Sequence, residues 1–325
     1  MIVKDKSDIV TDPKKSPLAP GNETMTNLSI LSLVEKDGML QRMQDNEDEF
    51  VKNWSIRVFE SKNPIVTLDA GNEYADGTCP SEPSYGHHYV VVASPKASDN
   101  FSNITVDQWS NVLVVIQDRL RWLYTQKGVT YVLIYANQGT DAGSIYPHPY
   151  LNMMTLSTIP PVIEREIVAS ARILNEKGFC PMCKIIESES SSPRQVLQTE
   201  GFISICPWES AHPYELWVCP KRHETNFAKI SQKEINDLAL MMRSTLGGLS
   251  KTIKNPAYNI VFHLSPEKKH SKQIHWHIEI YPVLAPASGL ERGYGIYIND
   301  VSPEDAAKKL GATSRKELAV LVGIE

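Results

Sequence analysis

No stretch of the 325-residue chain comes near the roughly 20 consecutive apolar residues that a membrane span requires, so no membrane partner is expected. The first residues, MIVKDKSD, lack the apolar core of a secretory leader, and a cytoplasmic protein is expected. Positive charge is not in excess: 33 Lys and Arg against 38 Asp and Glu leave a net charge of −5, which gives no electrostatic footprint for nucleic acid. Cysteine is scarce and odd in number, five in all. Two of the five form the C-x-x-C pair Cys180 and Cys183, which in a reducing compartment points to a metal rather than a disulfide. Cys79, Cys206 and Cys219 read as buried or incidental thiols.

What the sequence does have is a hydrophobic content of 42%, enough for two ordinary cores in a chain of this length. Its most informative stretch is 273–282, QIHWHIEIYP. In an extended strand His275, His277 and Glu279 would share one face, with Ile274, Trp276, Ile278 and Ile280 on the other. Before it, residues 1–25 read as an extended, proline-bearing arm, and 54–59 and 89–93 as strands. Thr105 and Gln108 read as a capping box opening a helix. A strand at 129–136, a loop at 137–149 and a helix at 161–175 follow. The serine-rich 187–193 reads as a surface excursion, 202–207 and 214–219 as strands. Ser231 and Glu234 cap a long helix, 258–263 is a strand, and Ser302 opens the terminal helices.

That order repeats. Ser94-Pro95-Lys96, Asn100-Phe101 and Ile104-Thr105 answer to Cys219-Pro220-Lys221, Asn226-Phe227 and Ile230-Ser231, with one residue inserted. Nearly the same number of positions then leads from Pro95 to His148 as from Pro220 to His275, which aligns His148, Tyr150 and Asn152 with His275, His277 and Glu279. The expected fold is therefore α+β, two copies of one unit packed as a pseudo-dimer. In the second copy Cys180 and Cys183, with His223 and His275, compose a tetrahedral Cys₂His₂ zinc set, structural because four protein ligands leave no place for water. In the first copy Ser16 to Ala19 stands where the cysteines would, Ala97 where His223 would, and only His148 remains. One zinc per chain, in the second domain, is expected.

Several motifs together carry a resemblance: PGNE at 20–23, WSIRVF at 54–59, N-x-G-x-x-x-G at 137–143, HP at 148–149, CPMCKII at 180–186, PKRH at 220–223, HWHIEIYP at 275–282 and GIYIN at 295–299. The chain resembles the galactose-1-phosphate uridylyltransferase family of the histidine-triad (HIT-like) superfamily. The resemblance implies an arm at 1–25, a first HIT-like domain at 26–172 and a second at 173–325, each an antiparallel sheet with flanking helices. It also implies a nucleotidyltransferase resembling UDP-glucose:hexose-1-phosphate uridylyltransferase, in which a histidine takes up a nucleotidyl group from a nucleotide sugar and a sugar phosphate accepts it. The attacking position is Tyr150, where the family has the second histidine of H-P-H-x-Q. His148 and Asn152 complete that stretch, and His277 is the alternative nucleophile, at the middle place of the histidine triad. Arg57, Asn137, Gly143 and Ser144 fall on nucleotide-binding positions. Glu166, His263, His277 and Glu279 fall on a second divalent-metal site found in some members. A homodimer is implied as well.

A phenol ionises near pH 10 and its nucleotidyl ester is more stable than a phosphoramidate, so ordinary double displacement is disturbed. Three readings stand at this point: a nucleotidyltransferase, including the related phosphorylases and hydrolases of dinucleoside polyphosphates or nucleotide sugars; a catalytically silent nucleotide or sugar-phosphate binder; and a scaffold.

Overall fold

A computed structural model describes residues 9–70, 84–266 and 274–324; Cys79 and Gln273 lie outside them. Its frame is one eleven-stranded sheet. The first half supplies β1 (Ser29–Lys36), β2 (Met39–Met43), β3 (Trp54–Glu60), β4 (His88–Val92), β5 (Tyr131–Gln138) and β6 (Tyr150–Leu156). The second supplies β7 (Gln195–Gln198), β8 (Phe202–Ile205), β9 (Leu216–Pro220), β10 (Ala257–His263) and β11 (His277–Val283). The order is β2-β1-β3-β4-β6-β5-β10-β11-β9-β8-β7, every neighbour antiparallel. The fold is thus α+β, and the halves meet edge to edge through β5 and β10, with Ala136 opposite Ile260.

One face carries the helices α1 (Val106–Leu123) and α4 (Gln232–Ile253). Trp109, Val112 and Ile116 of α1 and Leu238, Met242 and Leu249 of α4 recur at helical spacing and bury against Leu151, Ile134, Ile260 and Ile278 in one core spanning both halves. Ser231 and Glu234 form the expected reciprocal cap. The Thr105 box is only half made: its side chain accepts from the Gln108 N–H, but the Gln108 amide donates to the carbonyls of Ser55 and Ala93 instead. The opposite face has two small covers. Leu18 packs with Trp54, Phe59, Val90, Val92 and Tyr150, and Ile186 of α3 (Pro181–Glu189) packs with Ile203, Ile205 and Cys219.

Several expectations are corrected. The described part of the arm is not extended but makes 3-10 turns at Pro13–Lys15 and Glu23–Met25 and buries Ser16, Leu18 and Ala19. The β1–β2 hairpin has no counterpart in the sequence reading; β2 is exposed throughout, so no apolar alternation marks it. The start of the 187–193 excursion continues α3, with Glu189 buried and paired to Arg194. The 273–282 strand enters the ladder only at His277. The boundary drawn at residue 172 falls inside α2 (Pro161–Lys177), which ends at Gly178 in a left-handed cap. A single long helix, α6 (Pro303–Leu321), follows Ser302, after a short α5 (Gly289–Tyr294). No helix of the described residues is long and apolar enough to cross a membrane.

Glu23 fixes the N-terminal segment to β3. Its carboxylate, 1% exposed, accepts from the Gly21 N–H and Trp54 Nε1 at 3.1 Å and pairs with Lys52 Nζ at 2.7 Å. Burial pushes its pKa up, but these contacts outweigh burial and hold it down at about 2. Because that lies below the unfolded value, the stabilisation is full above about pH 4.3 and fades as pH falls toward 2. Urea unfolding should show Glu23→Gln weaker than the wild type by about 1–3 kcal/mol at neutral pH. The gap should close on acidification, and a gap independent of pH would exclude this role.

Candidate active site and metal centres

The register of the sheet sets the polar chemistry in a line. On the face opposite α1 and α4, Asn152, Tyr135, Val261, Glu279 and Trp217 are successive partners across β6, β5, β10, β11 and β9. Three strand spacings, about 14 Å, therefore separate Asn152 from Glu279. Two sites of different composition sit at the ends of this row.

At the first-half end, Tyr150 is 5% exposed, and its ring lies against Tyr146 at 5.7 Å. Its hydroxyl oxygen accepts from the Ile145 N–H at 3.3 Å. Burial pushes the phenol pKa up, opposed by the Ile145 N–H and the Ser144 side chain. The adjoining loop is held by its own backbone and by Asn259, which donates to Asn137 Oδ1 and the Ala142 carbonyl. Gly143 sits at φ +90°, a conformation a side chain disfavours. Asn152 Oδ1 faces His88 Nε2 at 3.1 Å. The Ile65 N–H donates to His88 Nδ1, so Nε2 carries the proton and donates to Asn152. His88 was missed in the sequence, although the His87-His88 pair opening an apolar strand was a visible signal. Arg57 is committed elsewhere: buried, it donates to Asp45 at 2.6 Å and to Thr26.

His148 repeats the geometry of His275 with different partners. His275 Nε2 meets the Pro220 carbonyl at 2.9 Å, and its Nδ1 lies 3.5 Å from Cys183 Sγ. His148 meets the Pro95 carbonyl, and its Nδ1 lies 3.1 Å from the Ser16 hydroxyl. The sequence alignment of Ser16 with the cysteine turn thus has a physical counterpart.

In the second half, donor atoms of Cys180, Cys183, His223 and His275 all lie within 4.8 Å of one another. Cys180 caps α3 and Cys183 lies in its first turn, where the helix dipole favours thiolate. Burial and the neighbouring Cys180 push the Cys183 thiol up to about 11, so a cation is needed to hold both thiolates. Burial holds His275 down at about 4, in the neutral form that a metal takes. The carbonyl on Nε2 orients the ring and leaves Nδ1 facing the sulfurs. This donor set fits a metal ion.

The second group, Glu166, His263, His277 and Glu279, meets the same distance limit. His263 Nδ1 is 2.7 Å from Glu166 and its Nε2 is 3.3 Å from Glu279. His277 Nε2 is 3.1 Å from Glu279 and its Nδ1 is 3.3 Å from the His275 carbonyl. Both ring nitrogens of His277 thus face oxygen atoms, and the Trp217 ring lies 5.2 Å from its own. Burial pushes His263 down, but the Glu166 hydrogen bond and the Glu279 charge prevail and raise it. A proton on His263 or a divalent cation can balance the two carboxylates.

With this geometry in place, the chain can be set beside known proteins. The galactose-1-phosphate uridyl transferase N-terminal domain matches residues 41–200. ADP-glucose phosphorylase of Arabidopsis thaliana is 29% identical over 269 residues, 81% of this chain and 75% of that protein. Galactose-1-phosphate uridylyltransferase of Thermotoga maritima is 28% identical over 276 residues, 82% of this chain and 86% of that one. The chain is similar to the galactose-1-phosphate uridylyltransferase family across most of its length. Among solved structures, a GALT-like protein of Arabidopsis thaliana superposes with TM-score 0.77 at 26% identity over 93% of each chain. An Arabidopsis thaliana ADP-glucose phosphorylase with bound ADP-glucose superposes with TM-score 0.76 at 25% identity, over 93% of this chain and 92% of that one. Within this uridylyltransferase-like fold, the first-half site and the second-half candidate metal groups fall on one face of one sheet.

His263 stands between two carboxylates, and its loss would leave them facing each other. His263→Ala should cost about 3–5 kcal/mol in urea unfolding, against a smaller cost for Glu166→Gln. A larger cost for Glu166→Gln would show that His263 is not the balancing group.

Proposed function

We propose that the chain is a nucleotidyltransferase that binds a nucleoside-diphosphate sugar in its first half and passes the nucleoside monophosphate to a sugar phosphate or to phosphate. The observation that supports this reading is the contact between the Tyr150 hydroxyl and the Ile145 N–H, at the end of the loop that runs from Asn137. In the reaction the phenolate oxygen would attack the α-phosphorus. The bond to the departing sugar phosphate would break, and the Ile145 N–H would support the negative charge on the phenolate oxygen. His148, held by Ser16 and Pro95, and Asn152, held by His88, would fix the strand beneath the nucleotide. Arg57 supports this site indirectly, through β3.

Zinc in the Cys180, Cys183, His223 and His275 set would tie α3 to the end of β9 and the start of β11, a structural role that fits a closed thiolate and imidazole shell. Glu166, His263, His277 and Glu279 suit a second divalent ion of the kind that oxygen and nitrogen donors take. A homodimer fits the exposed Tyr294, Ile296, Tyr297 and Ile298, an apolar strip that a second copy would cover.

A second reading, binding of the nucleotide sugar without turnover, is favoured by the burial that raises the Tyr150 pKa. One experiment separates the two. Incubation with UDP-glucose or ADP-glucose and denaturing mass spectrometry should find a nucleotidyl mass on Tyr150, absent in Tyr150→Phe. Because attack requires the phenolate, adduct formation should rise about tenfold per pH unit between pH 7 and 9. Thermal stabilisation by nucleotide sugar with no adduct would establish the second reading. Neither effect would leave a scaffold. Elemental analysis should find zinc that is lost in the Cys180→Ser, Cys183→Ser double variant; zinc retained there would refute the assignment.

A further inference from the structure

A cavity of about 220 Å³ opens where the two halves join, between the 138–141 turn, the end of α4 and the 100–102 turn. It lies on the far side of the loop whose other end meets Tyr150. We propose that this cavity binds a neutral polyhydroxylated ligand of the size of one monosaccharide, at a site separate from the nucleotide site.

The lining decides the class of ligand. Three amides line it, Asn100, Gln138 and Asn255. The oxygen of each is engaged, by Ser102, by the Phe101 N–H and by Ser250 respectively, so among the described residues each amide has its N–H groups uncommitted. Thr140 contributes a hydroxyl, and Tyr258, whose hydroxyl is buried without a partner, also lines the cavity. Asp141 supplies a carboxylate that makes no ion pair among the described residues. No lysine or arginine lines the cavity. Donor-rich amides alone would suit an anion as well as a polyol, but a carboxylate with no cation beside it repels a phosphate or a carboxylate ligand. Vicinal hydroxyls satisfy both requirements, because each accepts from an amide N–H while donating to a carboxylate. Pro256 and Ala257 add apolar surface for the C–H face of a ring.

The cavity is also held open by its backbone. Gly139, at φ +84°, runs so close to β10 that a Cβ there would stand 3.0 Å from the Ala257 Cβ. The turn is closed on itself by Ser144 N–H to Gly139 O at 3.0 Å and Gly143 N–H to Thr140 O at 2.9 Å. Its shape is thus present before any ligand arrives, which lowers the ordering cost of binding.

The test uses the full chain and free glucose, galactose and inositol as probes, read by saturation-transfer NMR and titration calorimetry. At least one neutral probe should bind in the millimolar range, and Asp141→Ala and Asn255→Gly should each weaken it tenfold or more. Both positions are exposed, and glycine keeps the left-handed backbone of Asn255, so the fold should survive with little change in Tm. The proposal is overturned by any of three results: no neutral probe binds, binding is unaffected by both variants, or the bound sugar is displaced by UDP-glucose or ADP-glucose, which would assign it to the nucleotide site.

Discussion

The antiparallel pairing of β5 with β10 is the contact on which the rest of the molecule depends. Without it each half would end in a bare edge of unpaired N–H and C=O groups flanked by apolar surface. With it, Ala136 and Ile260 stand opposite one another over a core that α1 and α4 build jointly, so neither half closes its core alone. The same ladder fixes the lateral row from Asn152 to Glu279. A slip of one residue would invert every side chain of β10 and β11, sending His263, His277 and Glu279 into the helix-side core.

Within that frame the halves have diverged in chemistry more than in geometry. His148 and His275 each hold a backbone carbonyl on one side of the ring and a small side chain from a preceding turn on the other. One half offers hydroxyl, the other thiol. The strand positions two residues on carry a phenol in one half and, in the other, an imidazole locked to a carboxylate. The scaffold transmits position, and the side chains decide what is done there.

Much of this was legible in the sequence, because the signals are local. C-x-x-C on a helix start, a capped helix at each repeat and period-two alternation across 274–280 all report short-range constraints. Both candidate ligand groups could be named from spacing and resemblance, and the donor atoms of each lie within 4.8 Å of one another. The commitment of Arg57 to Asp45, the turns of the N-terminal segment and the role of His88 were not legible, since each depends on a partner brought in by tertiary pairing. The β1–β2 hairpin escaped for a different reason. An edge strand with every residue exposed has no buried face to leave a periodic trace.

The Ser16 and His148 contact has a consequence for how the two halves respond to their surroundings. A hydroxyl paired with an imidazole offers no thiol to an oxidant, whereas the corresponding seat in the second half offers two. The half that carries the Tyr150 site therefore keeps its shape through changes in redox state that would loosen its neighbour. Stress of that kind would enter the protein through the Cys180 turn and reach the Tyr150 loop only by way of the shared sheet.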